Sequence, residues 1–271
     1  MLKKILLFLT IVSQISCAQQ EDESLKQPKQ PLKILLLIIC SDDLQVYLEL
    51  QKTWRSYMHN NPQQIEAYFL RGNLNQTTTF QYKDDTIWTK THESYESGVT
   101  NKTILTFEGI IPRLHEFDFV VRTNLSSFMI FPRLLKFLES APKTKFYCGS
   151  PMFYNKPPFT MLPYASGSGF ILSTDLVALL VENKSLFLNH PHCCDDVHIG
   201  SFFFNQGIAL VPKNRIDITT IEQWNQNRNK VDPDLFHIRV RSANSALWAR
   251  LAQEPPVHRK LFDEFYGKNI N

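Results

Sequence analysis

The sequence predicts an α/β fold in which a β-sheet is covered by helices on both faces. Short apolar stretches of strand length alternate along the chain with segments whose apolar residues recur at helical spacing. The first stretch, residues 32–40, reads LKILLLIIC, and such a nearly unbroken apolar run is typical of a strand buried on both faces. Strands that alternate with helices are the pattern of layered α/β proteins.

The predicted elements follow one another in a simple order. Apolar runs predict strands at residues 32–40, 65–71, 117–122, 145–149, 169–172 and 236–240. Helical spacing predicts a helix after Ser41, further helices at residues 98–114, 131–138, 174–182 and 195–205, and a helical tail. Ligands in such sheets bind beyond the carboxyl ends of the strands, so we expect the chemistry in the segments that follow them.

Composition excludes several classes of protein. Of the 271 residues, 43% are apolar and 20% are charged, which is too apolar for a disordered chain, and 9 Gly and 15 Pro are too few for a fibrous one. The formal net charge is +3, and without Lys3 and Lys4 the 29 basic residues fall to 27 against 26 acidic ones. This balance predicts no nucleic-acid partner, because phosphates require a concentrated basic patch.

The amino terminus predicts a secretory route. Residues 1–18 combine a short basic start, an apolar run from Ile5 to Ile15 and a small-residue end, which is the layout of a signal peptide. A short type II signal-anchor in the membrane and a lipoprotein signal on Cys17 are the alternatives.

The rest of the chain is expected to be one domain in the ER or Golgi lumen or outside the cell. Residues 19–31 are polar and predict a linker, which leaves residues 32–271 as a single domain. Sequons that agree weakly with a secretory glycoprotein begin at Asn75, Asn101, Asn124 and Asn183.

The cysteines leave disulfide pairing open. The even set that remains after the signal allows disulfides in an oxidising compartment and consists of Cys40, Cys148, Cys193 and Cys194. The vicinal pair has His190 and His192 close by, but no second Cys/His pair at zinc spacing completes a site. We therefore predict no zinc there.

Acidic pairs are candidates for acid–base chemistry. They lie at Asp42–Asp43, Asp84–Asp85 and Asp195–Asp196. The last pair differs because it opens a helix after a crowded, partly apolar segment, where a carboxylate can be held in a cleft as a general base. The glycine cluster Ser166–Gly169 is short and leads into a strand, so we predict a tight turn there rather than a phosphate cradle.

Several short motifs occur in a characteristic order. The two most specific are residues 163–173, PYASGSGFILS, and residues 195–200, DDVHIG. Weaker ones are KTWR (52–55), AYFLRG (67–72), ESY (93–95) and NKT (101–103). In this order they resemble the β-1,3-glycosyltransferases of the galactosyltransferase and fringe type, from about Leu32 to Pro212. The resemblance implies a GT-A-like, Rossmann-type mixed sheet flanked by helices on both faces.

The resemblance also implies an activity and roles for particular residues. It implies an inverting hexosyltransferase that moves a sugar from a nucleotide-sugar donor, above all a UDP-sugar, to a hydroxyl of a glycan or glycoprotein. Asp196 takes the place of the carboxylate that deprotonates the acceptor, and Asp195 is its acidic neighbour. Gly167, Ser168 and Gly169 take the place of a substrate-binding turn, where the missing Cβ atoms let backbone approach the substrates.

The chain departs from the family at the metal site. The family has Lys-x-Asp-Asp-Asp-x-Phe after the third main strand, and Asn124-Leu125-Ser126 replace those aspartates here. Hard divalent cations prefer anionic oxygens, so we expect no cofactor, with Mn²⁺ or Mg²⁺ as the alternative, for which His237 is a candidate ligand. The expected diphosphate-binding residues are then Arg122, Asn124, Ser126, His237, Arg239 and Arg241.

Two other functions stay open. Catalysis could be lost while the fold survives as a nucleotide-sugar or glycan-binding module. The chain could also be a secreted effector or adhesion protein without sugar chemistry. Nucleotide-sugar binding without turnover would indicate the first alternative, and no nucleotide binding the second.

Overall fold

A computed structural model describes residues 31–41, 44–94, 97–156, 161–188 and 194–267. The predicted signal peptide and all but the last residue of the predicted linker lie outside the described residues, as do Asp42, Asp43, His190, His192 and Cys193. From Leu32 onward the described elements belong to one compact unit.

The strands of the described residues form two sheets. In chain order they are β1 (Ile34–Ile39), β2 (Ile65–Gly72), β3 (Phe80–Lys83), β4 (Thr86–Thr89), β5 (Phe119–Asn124), β6 (Ser127–Met129), β7 (Tyr147–Tyr154), β8 (Leu162–Ser173), β9 (Leu210–Pro212), β10 (Ile216–Ile218) and β11 (His237–Val240). The larger sheet has the order β3-β4-β2-β1-β5-β8-β7-β9. Strand β1 runs parallel to β2 and β5, whereas β8 runs antiparallel to β5 and β7. The large sheet is therefore mixed.

The α-helices of the described residues follow the predicted alternation. They are α1 (Gln45–Tyr57), α2 (Ser97–Ile110), α3 (Phe131–Leu138), α4 (Thr174–Glu182), α5 (Asp195–Asn205), α6 (Ile221–Asn227) and α7 (Leu247–Phe265). Helices α3, α4 and α5 have the predicted bounds. The helix predicted to reach residue 114 ends at Ile110 and continues as a 3₁₀ turn (Ile111–Glu116), because Pro112 has no amide hydrogen to extend the α-helix. None of the described helices is long and apolar enough to cross a membrane.

The large sheet has an apolar core on each face. Along β1, Ile34, Leu36 and Ile38 belong to a buried cluster that includes side chains of α1, α3 and α7. Leu35 and Leu37 belong to a second cluster, with side chains of α2, α4 and α5. Alternate side chains of a strand point to opposite faces, so one unbroken apolar run supplies both cores. The predicted α/β sheet with helices on both faces is confirmed.

Two cysteines are core residues. Cys40 and Cys148 are buried free thiols of the cluster that contains Ile34. Burial raises the pKa of Cys40 to about 11 and that of Cys148 to about 12. Neither thiol is therefore an effective nucleophile at neutral pH.

A small second sheet lies beside the end of β5. Strand β11 pairs in parallel with β10 and antiparallel with β6, with Arg239 opposite Ser127. Because β6 follows β5 after only Leu125 and Ser126, this pairing carries Arg239 to the carboxyl end of β5. The late strand predicted at residues 236–240 is confirmed.

The glycine cluster lies inside β8, so the predicted tight turn is wrong. Gly149 of β7 pairs with Phe170 and Pro151 pairs with Ala165, so residues Ser166–Gly169 of β8 lie opposite a single residue of β7. They form a bulge in the middle of the strand, and bulges of this kind occur beside active sites. No glycine of the bulge has a positive φ, so the reason for glycine lies in the contacts described below.

Candidate functional site

A cleft of about 280 Å³ lies at the carboxyl ends of β1 and β5. Parallel pairing of these strands places Ile39 opposite Asn124, so the segments that follow them meet at one edge of the sheet. The β8 bulge and the first turn of α5 complete one wall, and the end of β11 contributes to another. This is the position at which α/β sheets bind ligands.

Most of the predicted site residues meet in this cleft. Those that line it are Arg122, Asn124, Ser126, Gly167, Ser168, Asp195, Asp196 and Arg239. Gly169 and His237 line a separate small void instead. The residues come from β5 and the link that follows it, and from β8, α5 and β11, so the fold brings together positions that are far apart in sequence.

Asp196 is held by backbone amides. Its Oδ2 accepts a hydrogen bond of 2.7 Å from the Gly167 N–H, and its Oδ1 accepts one of 2.9 Å from the Val197 N–H. Burial raises the pKa of Asp196, the charge of Asp195 raises it further, and Arg122 opposes both effects. A carboxylate whose pKa is raised is a stronger base, and this one is half-buried on the cleft wall.

Asp195 is buried and already paired. Its Oδ2 lies 2.6 Å from Arg122 Nη2 and accepts a hydrogen bond of 2.8 Å from Thr103 Oγ1. Its side chain is only 2% exposed. The charge of Asp195 is therefore balanced within the protein, which leaves Asp196 as the carboxylate of the pair that is available to a ligand.

Arg122 uses two of its nitrogens inside the protein. Nη2 pairs with Asp195, and Nη1 donates to the Gly167 carbonyl. The guanidinium also lies 5.5 Å from the centre of the Phe170 ring. In the part of the chain that the structure describes, Nε has no hydrogen-bond partner. Arg122 thus lies at the predicted place, but its contacts are with the β8 bulge and α5.

Asn124, Leu125 and Ser126 form a local polar network. Asn124 Nδ2 donates to the Gly167 carbonyl (3.1 Å), and Asn124 Oδ1 accepts from the Ser126 N–H (3.1 Å). Trp54 Nε1 donates to the Leu125 carbonyl at 3.3 Å. The amide of Asn124 is therefore engaged on both of its polar atoms.

This donor set does not fit a divalent cation. Asn124 and Ser126 offer no anionic oxygen. Among the described carboxylates of the cleft, Glu93 is paired with Lys102 and Asp195 with Arg122, which leaves Asp196 as a single available carboxylate. Among the described residues, no group of three His, Cys, Asp or Glu side chains could hold a metal ion.

Cationic side chains also line the cleft. Arg239 and Arg241 both line it from the end of β11. Arg239 Nη1 lies 3.1 Å from Asp217 Oδ2, whereas Arg241 forms no ion pair with any carboxylate that the structure describes. Arg215 pairs with the same Asp217 at 2.6 Å and donates to Ser168 Oγ at 3.0 Å.

His237 is a neutral, buried imidazole below the cleft. Burial and the nearby Arg215 lower its pKa to about 3, and its Nε2 lies 3.0 Å from Ser127 Oγ. A Cβ added to Gly169 would lie 2.9 Å from His237 Cε1. These two predicted site residues therefore lie beside each other and outside the lining of the cleft.

Lys102 is a cleft residue that sequence reasoning missed. It is 1% exposed, and its Nζ donates to the Cys40 carbonyl (2.9 Å) and to Glu93 Oε2 (2.6 Å). The sequence contains an indication of this burial. Lys102 shares one face of α2 with Val99 and Thr103, and that face is otherwise uncharged. Arg215 and Asp217 were also missed, since β10 is too short to be recognised.

Comparison with known proteins supports the fold. No protein-family model matches the chain, and no curated protein matches it. A solved structure described as a glycosyltransferase involved in the glycosylation of the major capsid of PBCV-1 matches with a TM-score of 0.51 and 6% identity, over 84% of this chain and 99% of that chain. This chain has a GT-A-like fold.

A second solved structure is less similar. The catalytic domain of Drosophila β1,4-galactosyltransferase 7, in complex with xylobiose, matches with a TM-score of 0.38 and 12% identity, over 68% of this chain and 66% of that chain. That value is too low to add to the fold assignment. The predicted GT-A-like mixed sheet is confirmed, while membership in the β-1,3-glycosyltransferase family remains a prediction.

Proposed function

We propose that this chain is an inverting glycosyltransferase that moves a hexose from a nucleotide sugar, above all a UDP-sugar, to a hydroxyl of a glycan or glycoprotein. The observation that carries the proposal is the Asp196 carboxylate on the wall of the cleft, within a GT-A-like fold. We place the reaction in the ER or Golgi lumen or outside the cell, as the amino-terminal sequence predicts.

Asp196 is the proposed general base. An acceptor hydroxyl placed against its carboxylate gives up its proton to Asp196, while the acceptor oxygen forms a bond to the anomeric carbon. The bond from that carbon to the diphosphate oxygen breaks on the opposite face, and the electron pair leaves with the nucleoside diphosphate. One base and one leaving group on opposite faces account for inversion at the anomeric carbon.

The leaving diphosphate needs positive charge. Arg239 and Arg241 line the cleft. Each guanidinium group can bind two phosphate oxygens at once. Because the residues at the family's metal position offer no anionic oxygen, we propose that these arginines act in place of a divalent cation. Of the two, Arg241 is the better placed to accept a new anion, since Arg239 already shares Asp217 with Arg215.

Transfer assays with a panel of UDP- and GDP-sugars, with and without EDTA, test this proposal. We expect turnover that EDTA does not reduce. The variant Asp196→Asn should lower kcat by about 100-fold or more and leave nucleotide affinity unchanged, because general-base catalysis contributes this much. Asp234→Asn is the matched control, since Asp234 is an exposed carboxylate paired with Lys136 far from the chemistry.

Three results would contradict parts of the proposal. Full activity of Asp196→Asn would exclude it as the base. Loss of turnover in EDTA that Mn²⁺ restores would exclude the metal-independent reaction. UDP binding without turnover of any donor would instead favour the catalytically inactive nucleotide-sugar-binding module.

A further inference from the structure

We propose that Arg122 is a positioning residue: it holds Gly167 and balances the charge of Asp195, and through these contacts it fixes the place and the charge environment of Asp196. The inference rests on the proposed function, because it concerns the same cleft. It gives Arg122 a different role from the diphosphate ligand that the resemblance implies.

The contacts close a ring around Asp196. Arg122 Nη1 donates to the Gly167 carbonyl, and the Gly167 N–H donates to Asp196 Oδ2 at 2.7 Å. The Asp196 N–H donates to Asp195 Oδ1 at 3.0 Å, and Asp195 Oδ2 returns to Arg122 Nη2 at 2.6 Å. The N–H of Gly167 is thereby bound to Asp196 of α5, and its carbonyl is bound to Arg122 of β5.

A guanidinium is suited to this place. Its planar fork points Nη1 and Nη2 in fixed directions, so one side chain can hold a carbonyl and a carboxylate at once. The side chains of Arg122 and Asp195 are only 3% and 2% exposed. Water therefore cannot readily replace either contact. Asn124 Nδ2 also donates to the Gly167 carbonyl, but Arg122 is the side chain that joins that carbonyl to Asp195.

The same pair sets the charge that Asp196 experiences. Adjacent buried carboxylates repel, and each disfavours ionisation of the other. Arg122 balances Asp195, so the pair is close to neutral and Asp196 can ionise beside it. The other charged or titratable described groups that line the cleft or lie beneath it are Lys102 and Glu93, Cys40 and Cys194, Tyr47 and Tyr147, Arg239 and Arg241.

Thr103 is a second positioning residue in this arrangement. Its hydroxyl donates to Asp195 Oδ2 at 2.8 Å, from α2 on the side opposite β8. Thr106, on the same helix, is also fully buried, but its Oγ1 has no hydrogen-bond partner among the described residues. The two threonines therefore form a matched pair for substitution by valine.

The test compares Arg122→Gln with Arg239→Gln, and Thr103→Val with Thr106→Val. For each we would measure kcat against pH and the Kd of UDP by calorimetry. Arg122→Gln should lower kcat by about 100-fold, as expected for a displaced base, without changing the Kd of UDP. The acidic limb of its pH profile should move to higher pH, because Asp195 loses its counter-charge. Arg239→Gln should weaken UDP binding and leave that limb in place.

Thr103→Val provides a second test of the inference in case the Arg122→Gln variant does not fold. It should move the acidic limb in the same direction by a smaller amount, whereas Thr106→Val should leave it unchanged. The inference is overturned if Arg122→Gln weakens UDP binding as much as Arg239→Gln does and leaves the limb unmoved.

A measurement without turnover separates this inference from the proposed function. Carbon-13 NMR of aspartate-labelled protein, with Asp196→Asn to assign the resonance, follows the titration of Asp196 directly. A higher titration midpoint in Thr103→Val or Arg122→Gln supports the inference even if no donor is turned over. An unchanged midpoint in both variants overturns it, whatever the enzyme assays show.

Discussion

Gly167 has no side chain, and the contact with Asp196 depends on that space. A Cβ at this position would lie 2.8 Å from Asp196 Oδ2, which is closer than real Cβ atoms come to other heavy atoms. At Gly169 the equivalent atom would press on the buried ring of His237. Both glycines are therefore required for close approach between side chain and backbone.

Gly167→Ala should damage activity more than stability. The added methyl group must displace the Asp196 carboxylate, so we expect kcat to fall by about 100-fold while the free energy of unfolding falls by about 1–3 kcal/mol. Transfer assays and denaturant unfolding measure the two effects. Gly267→Ala is the control, because the nearest atom to its Cβ would lie at 3.7 Å. Wild-type kcat in Gly167→Ala would show that this contact does not matter for catalysis.

Among the elements, α7 holds the segment that carries Arg241. Arg250 Nε lies 2.8 Å from Glu254 Oε1, and the side chains of this pair are 3% and 0% exposed. The same Glu254 oxygen accepts a hydrogen bond of 3.1 Å from the Ser242 N–H, directly after Arg241. A buried ion pair on α7 therefore anchors the end of β11 at the cleft.

Glu254→Gln should lower the free energy of unfolding by about 3–5 kcal/mol, because it leaves the Arg250 guanidinium buried without a counter-charge. Denaturant unfolding followed by circular dichroism measures the change. Glu49→Gln is the comparison, since Glu49 belongs to a solvent-exposed pair with Lys52 whose loss should cost less than about 1 kcal/mol. Equal effects of the two variants would mean that the Arg250–Glu254 pair is not shielded from water.

The longer elements could be predicted from sequence, whereas most of the short strands could not, with the four-residue β11 as the exception. Helices α3, α4 and α5 each show a clear apolar period and have the predicted bounds. Strands β3, β4, β6, β9 and β10 have only three or four residues each, which is too few for a period of two to stand out. Their pairing depends on tertiary contacts that a local pattern does not contain.

The candidate site was predictable as a set of residues but not as a set of contacts. Motif order indicated Asp196 and the glycine bulge, and both lie in the cleft. The pairing of Arg122 with Asp195 joins β5 to α5. Sequence spacing predicts contacts within one helix or strand, but not contacts between residues on different elements. The burial of His237 was missed because a strand of four residues does not reveal which of its faces is covered.

For the whole molecule, two buried imidazoles make the fold sensitive to acid. Burial lowers the pKa of His237 and of His258 to about 3 in the folded state. The unfolded chain protonates these groups near pH 6.5, so it binds more protons than the folded chain between the two values. Their contribution to stability is therefore complete above pH 6.5 and is lost as the pH falls towards 3.

His237→Gln should make the free energy of unfolding depend less steeply on pH. We expect the free energy of unfolding of the wild type to fall by about 1.4 kcal/mol per pH unit for each imidazole below pH 6, and the variant to lose one such contribution. Urea unfolding at pH 7, 6, 5 and 4 measures the slopes. His115→Gln is the control variant, since the His115 side chain is exposed. Parallel curves for His237→Gln and the wild type would contradict the neutral, buried ring.

The contact between α5 and β8 at Gly200 has a mechanical consequence. A Cβ on Gly200 would lie 2.3 Å from Tyr164 Cβ, so the helix lies directly against the strand one turn after Asp196. Tyr147 of β7 also binds the strand here, because its hydroxyl accepts a hydrogen bond of 2.7 Å from the Ala165 N–H of β8. Helix α5 and strand β8 are therefore expected to move as one rigid body that carries Asp196 and Gly167 together.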